Sequence, residues 1–92
     1  MNEVTIYTQP LCGYCQSALH LLGRKGVTRL NHIDVDAKPW QRAATVARSG
    51  RHTVPQIFIG DTHVGGFDDL AELERAGRLD AMPHRGPGTA SE

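Results

Sequence analysis

The sequence predicts an α/β fold, a mixed four-stranded sheet flanked by three helices in the order β-α-β-α-β-β-α. Three observations carry that reading. Short runs of strand formers alternate with stretches of helical periodicity, a helix lies between the first two strands, and two late apolar runs are close enough to form a hairpin. The helical crossover favours a parallel, right-handed pair and the hairpin adds antiparallel strands, so the sheet is mixed. Ninety-two residues suit one domain without internal repeats, able to bury roughly 60 to 70 per cent of its unfolded surface.

In "EVTIYT", Val4 and Ile6 alternate with Thr5 and Tyr7, the pattern of a first strand. Residues from about 14 to 25 set Ala18, Leu19, Leu21 and Leu22 on one side of a first helix, with Gly23 and Gly26 available to end it. "TRLNHIDV" reads as a weaker, peripheral strand. A second helix is expected from Asp36, with Pro39 in its first turn, Trp40, Ala43, Ala44 and Ala47 at helical spacing, and Gly50 closing it. Trp40 reads as a core or groove-flanking aromatic. "QIFIG" is an apolar run suited to a central strand covered on both faces, and "DTHVGG" is its partner across a tight turn at Gly60-Asp61. The last helix opens at "FDDLAEL", where Asp69 and Glu72 have the spacing of a capping box, and closes near Gly77. Residues 1–82 form the expected domain, and from Pro83 the Pro, Gly and small polar residues of 83–92 read as a disordered tail.

Ten basic residues balance ten acidic ones, and no basic stripe alternates with aromatics, so neither a nucleic-acid partner nor a charged surface is implied. The start "MNEVTIYTQP" has no leader pattern and no apolar run is long enough to span a bilayer, so the expectation is a cytoplasmic protein that does not engage membranes.

The chemistry concentrates in "QPLCGYCQSALHLL", which holds both cysteines of the chain, Cys12 and Cys15. A reducing compartment argues against a structural bridge. Zinc needs two more ligands, and His20, His32, His52, His63 and His84 lack the spacing to supply them, so no metal site is expected from the protein alone. Buried, inert cysteines are a further alternative. Reaction is the favoured reading, because a cysteine just before a helix faces unsatisfied N–H groups and the positive end of the helix dipole. At an ordinary pKa near 8.5, about 3 per cent of such a thiol is ionised at pH 7, and lowering it makes the attacking anion abundant. Cys15, one turn later, would lie deeper and could resolve a mixed disulfide formed on Cys12.

"VTIYTQPLCGYC", "SGRHTVPQIFIGDTHVGG" and "FDDL" together resemble the landmarks of the glutaredoxins, members of the thioredoxin-like fold, in their order and spacing over about residues 3 to 80. The resemblance implies a glutathione-dependent thiol–disulfide oxidoreductase. Cys12 would take the glutathionyl group from a mixed disulfide and a second glutathione would release it, while Cys15 would complete a dithiol route for protein disulfides. It further implies that Tyr14 lines the groove, that Thr53 and Val54 align the tripeptide, and that Val54–Pro55 is cis, whereas Pro55 by itself reads as the start of an edge strand. Gly66 lets backbone pass close to a ligand. Asp68 and Asp69 would take the γ-glutamyl end of glutathione, although Asp69 with Glu72 also fits a plain helix cap.

Two positions depart from the family pattern. Gln9 stands where many members carry a lysine that holds the glycyl carboxylate; Arg42 either takes that carboxylate over or is a solvated surface arginine. Gly13 stands where many have proline, and some members with glycine there hold a [2Fe-2S] cluster between two subunits, which would make Cys12 a cluster ligand. The expectation is therefore a monomer with glutathione as co-substrate and no resident cofactor, its partners glutathionylated or disulfide-containing proteins. Alternatives are a cluster-binding homodimer or a redox-inert binding module.

Overall fold

A computed structural model describes residues 3–81; the expected tail at 83–92 lies outside the described residues. Along the chain come β1 (Val4–Thr8), α1 (Gly13–Arg24), β2 (Leu30–Asp34), α2 (Gln41–Ser49), β3 (Gln56–Ile59), β4 (Thr62–Gly65) and α3 (Phe67–Arg75), then a single 3-10 turn at Leu79–Ala81. The strands lie side by side as β2-β1-β3-β4. β1 is parallel to β2 and antiparallel to β3, which is antiparallel to β4. Gly60, at φ 59°, makes the tight turn between β3 and β4.

β1 and β3 are the inner strands, and all their residues are buried. Val4, Ile6, Ile57 and Ile59 pack one face of the sheet against Ala18, Leu21 and Leu22 of α1, Leu70 of α3 and Leu79. Removing each such large aliphatic side chain from water contributes about 1.5–3 kcal/mol, so this layer anchors the cysteine-bearing helix. The opposite face is thinner, a cluster of Tyr7, Val35 and Phe58. Arg48 of α2 roofs it, its guanidinium 3.9 Å from the Phe58 ring centre and donating to the Tyr7 hydroxyl at 3.0 Å.

α2 differs from the sequence expectation in both start and face. It begins at Gln41, because the preceding residues form turns in which Asp36 N donates to Asp34 Oδ1, Ala37 N to Asp34 O and Gln41 N to Lys38 O. Pro39 therefore precedes the helix. Trp40 is 61% exposed under the Lys38 ammonium, and Ala43, Ala44 and Ala47 face solvent. Thr45 is buried instead, its hydroxyl satisfied by Gln41 O at 2.7 Å. A methyl group gains little by burial, so the spacing of three alanines did not decide which face turned inward.

Candidate active site

β1 delivers the chain to the start of α1 through Leu11, which is fully exposed and sits at φ 59°, a sparsely populated conformation for a bulky residue. Cys12 is extended and caps α1; its Sγ accepts from Cys15 N at 3.1 Å, and its carbonyl accepts from Gln16 N. Cys12 and Cys15 form a disulfide, with Cα atoms 5.2 Å apart. Cys15 is buried, whereas Cys12 is partly exposed. One sulfur is thus presented to partners and the other is shielded. No acidic residue lies in the first turn of α1, so nothing there opposes a negative charge on Cys12 when the disulfide is reduced.

The Val54–Pro55 bond is cis, and Val54 O lies 4.0 Å from Cys12 Sγ. Beside it is a shallow depression lined by Val35, Arg42, Thr45, Val46, Arg51, His52, Thr53 and Val54. Arg42, part of this lining, also meets Gln9: Arg42 Nη2 donates to Gln9 Oε1 at 3.0 Å and to Asp36 Oδ1 at 2.8 Å. This exposed ion pair is worth at most about 1 kcal/mol, so the guanidinium is readily redirected to a ligand carboxylate. Tyr14 is exposed and stacks on Phe67 with ring centres 6.3 Å apart, which joins the cysteine turn to the start of α3.

At that start the capping differs from the expected Asp69–Glu72 box. Gly66 is the cap residue, and Asp69 Oδ2 reaches back to its N–H at 2.9 Å; Glu72 instead pairs with Arg75. A glycine cap has no side-chain oxygen, so only this half of the box exists. Arg51 Nη1 donates to the same Asp69 oxygen at 3.1 Å. Asp69 is therefore engaged within the protein, while Asp68 is exposed and has no side-chain partner among the described residues.

The Gly66 amide, aided by Arg51, holds the Asp69 carboxyl below its ordinary value of 3.8 despite the opposing effect of burial. A depressed carboxylate contributes its stability fully above the unfolded value and loses it as pH falls through the folded one. Asp69→Asn is expected to cost about 1 kcal/mol at pH 7 and to flatten the decline of stability below about pH 4. Urea unfolding at a series of pH values measures both, and an unchanged acid limb in the variant would contradict the linkage.

No motif of the sequence gives Arg51, Gln56 or His63 a role, yet they support this side of the site. Gln56 has no exposed surface; its Nε2 donates to Thr53 O at 3.0 Å, and its Oε1 pairs with His63 Nε2 at 2.7 Å. His63 stacks on Phe58 with ring centres 4.8 Å apart. Burial first, then Arg51 and Arg48, push the His63 pKa below its ordinary value, with Asp69 opposing. Among the described residues no group of three or more His, Cys, Asp or Glu could hold a metal ion, and no helix is long and apolar enough to cross a membrane.

Comparison with known proteins gives a consistent result. The profile of the family described as Glutaredoxin matches residues 4–64. A glutaredoxin of Pseudomonas aeruginosa is 55% identical over 82 residues, 89% of this chain and 96% of that protein. The crystal structure of a buckwheat glutaredoxin–glutathione complex superposes with a TM-score of 0.78 at 33% identity, covering 88% of this chain and 76% of that one. A structure described as "Metal Binding of Glutaredoxins" is 53% identical with a TM-score of 0.68, covering 94% and 92%.

Proposed function

This chain belongs to the glutaredoxin family, thioredoxin-like in fold and a thiol–disulfide oxidoreductase in its chemistry, and from that premise we propose that it is a glutathione-dependent reductase of glutathione mixed disulfides and protein disulfides. The observation that carries the reading is the accessible Cys12 sulfur at the α1 N-terminus, beside Val54 O and paired with a buried Cys15. The Cys12 thiolate attacks the glutathionyl sulfur of a mixed disulfide; the S–S bond breaks, the substrate leaves as a thiol after taking a proton, and the glutathionyl group stays on Cys12. A second glutathione thiolate attacks that group, giving glutathione disulfide and restoring the Cys12 thiolate. For a protein disulfide, Cys15 displaces the substrate thiol and leaves the Cys12–Cys15 disulfide, which two glutathiones then reduce.

Glutathione fits the groups around Cys12. Val54 O lies by the sulfur with Thr53 next to it in the chain, Arg42 with Gln9 can receive the glycyl carboxylate, and Asp68 can receive the γ-glutamyl ammonium beside the free N–H groups at the start of α3. That the similar buckwheat structure is a glutathione complex supports glutathione as the ligand. Partners are glutathionylated or disulfide-bonded proteins of a reducing, cytoplasmic compartment. The test is steady-state turnover of a glutathionylated peptide with glutathione and its NADPH-dependent reductase. Saturable turnover that stops when glutathione is omitted is expected; turnover indifferent to glutathione would overturn the proposal.

A second reading has one observation behind it, the 53% identical chain solved for metal binding. Among the described residues one chain offers a single accessible thiol, Cys12, since Cys15 is buried. A [2Fe-2S] cluster would thus take Cys12 from each of two subunits, with two glutathione thiols completing the ligand set. Gly13 leaves the turn open, with no atom within 4 Å of an added Cβ. A brown, dimeric protein after anaerobic purification with glutathione would favour this reading, and a colourless monomer would dismiss it.

A further inference from the structure

Residues 52–55 carry the backbone that would grip glutathione, yet among the described residues no loop hydrogen bond between backbone groups ties them down. The tie is a side chain. Gln56 follows Pro55, is completely buried, and donates from Nε2 to Thr53 O at 3.0 Å and to Thr53 Oγ1 at 3.3 Å. Its nitrogen being the donor, its Oε1 must accept, so the 2.7 Å contact assigns the proton of the neutral His63 ring to Nε2. His63 is itself fixed by its place in β4 opposite Phe58, on which it stacks. The sheet thereby reaches Thr53 through two side chains in series.

We propose that Gln56, held by His63, is a positioning residue that fixes Thr53 and Val54 in the orientation that binds glutathione. The proposal rests on the glutathione-dependent reading above. Gln56 touches neither sulfur, so its effect falls on alignment of the tripeptide and leaves the intrinsic reactivity of Cys12 alone. Without it the loop is ordered only when ligand binds, which weakens binding.

Gln56→Met keeps length and volume while removing every hydrogen bond of the amide. It is expected to raise KM for a glutathionylated peptide about three- to tenfold, with kcat changed less than twofold and the rate of Cys12 alkylation by iodoacetamide unchanged. His63→Leu strips the acceptor contact and is expected to raise KM about threefold, His63→Gln to restore it by supplying an N–H, and the Gln56→Met/His63→Leu pair to be no worse than Gln56→Met alone. Should Gln56→Met not fold, the His63 variants carry the same test. An unchanged KM in folded variants, or an alkylation rate that falls as KM rises, overturns the positioning role while the glutathione reading stands. A wild type without glutathione-dependent turnover overturns both.

Discussion

Cys12→Ser is expected to abolish turnover of a glutathionylated peptide, lowering kcat/KM at least about a thousandfold, while Cys15→Ser continues to turn over. The asymmetry follows from the two sulfurs' surroundings. Cys12 Sγ is partly exposed, receives the Cys15 amide, and sits at the positive end of a helix with no acidic side chain in its first turn. A serine hydroxyl there stays protonated at neutral pH and cannot form the mixed disulfide through which the exchange passes. Cys15 is buried behind it and is needed only when a second protein sulfur must be displaced. Cys15→Ser should therefore keep the glutathione mixed-disulfide reaction and lose most of the reduction of protein disulfides. The coupled assay on the two substrates checks this; activity in Cys12→Ser, or loss of both reactions in Cys15→Ser, would contradict the roles given to the sulfurs.

Gly65→Ala is expected to be the most damaging single methyl near the site, at about 2–4 kcal/mol. Gly65 is buried at the end of β4 with φ +119°, where an L side chain is strained by about 1–3 kcal/mol. The added Cβ would also lie 2.8 Å from Asp69 Cγ and nearer still to Oδ2. Asp69 would have to move, and with it the bonds to Gly66 N and Arg51 that open α3. For a domain of this size the loss corresponds to a Tm lower by on the order of 10–20 °C. The adjacent Gly66→Ala is the control: φ there is −91° and the new Cβ meets Pro55 O at an ordinary 3.5 Å, so its Tm should fall by only a few degrees. Thermal unfolding of the two variants compares them directly, and equal melting temperatures would remove Asp69 as the reason for a glycine at 65.

Local pattern made most of this fold legible. Alternation at Val4–Tyr7, the leucines after Cys15 and the two runs around Gly60-Asp61 each express one periodicity, and the structure has all four strands and three helices in the expected order. The reading failed where burial has another cause. In α2 the alanines have little to gain from the core, and Thr45 and the guanidinium of Arg48 cover the second face through satisfied polar groups. Gln56 lies in what reads as an apolar run, although a polar residue inside a central strand signals a buried amide that needs partners. Its partners, Thr53 and His63, lie three residues before it and seven after, a pairing the β3–β4 hairpin creates. The cysteine turn and the Val54–Pro55 loop were recognisable as motifs. That Arg42 bridges Gln9 and Asp36, and that Arg51 occupies Asp69, depends on three-dimensional neighbours with no fixed spacing.

The most direct test of Cys12 as the glutathionyl acceptor is intact-mass analysis of the Cys15→Ser variant after exposure to glutathione disulfide. One glutathionyl group per chain, mapped to Cys12 and released by added glutathione, is the expected result. A variant that remains unmodified, with its Cys12 thiol still free to alkylate, would contradict glutathione-dependent chemistry at this site.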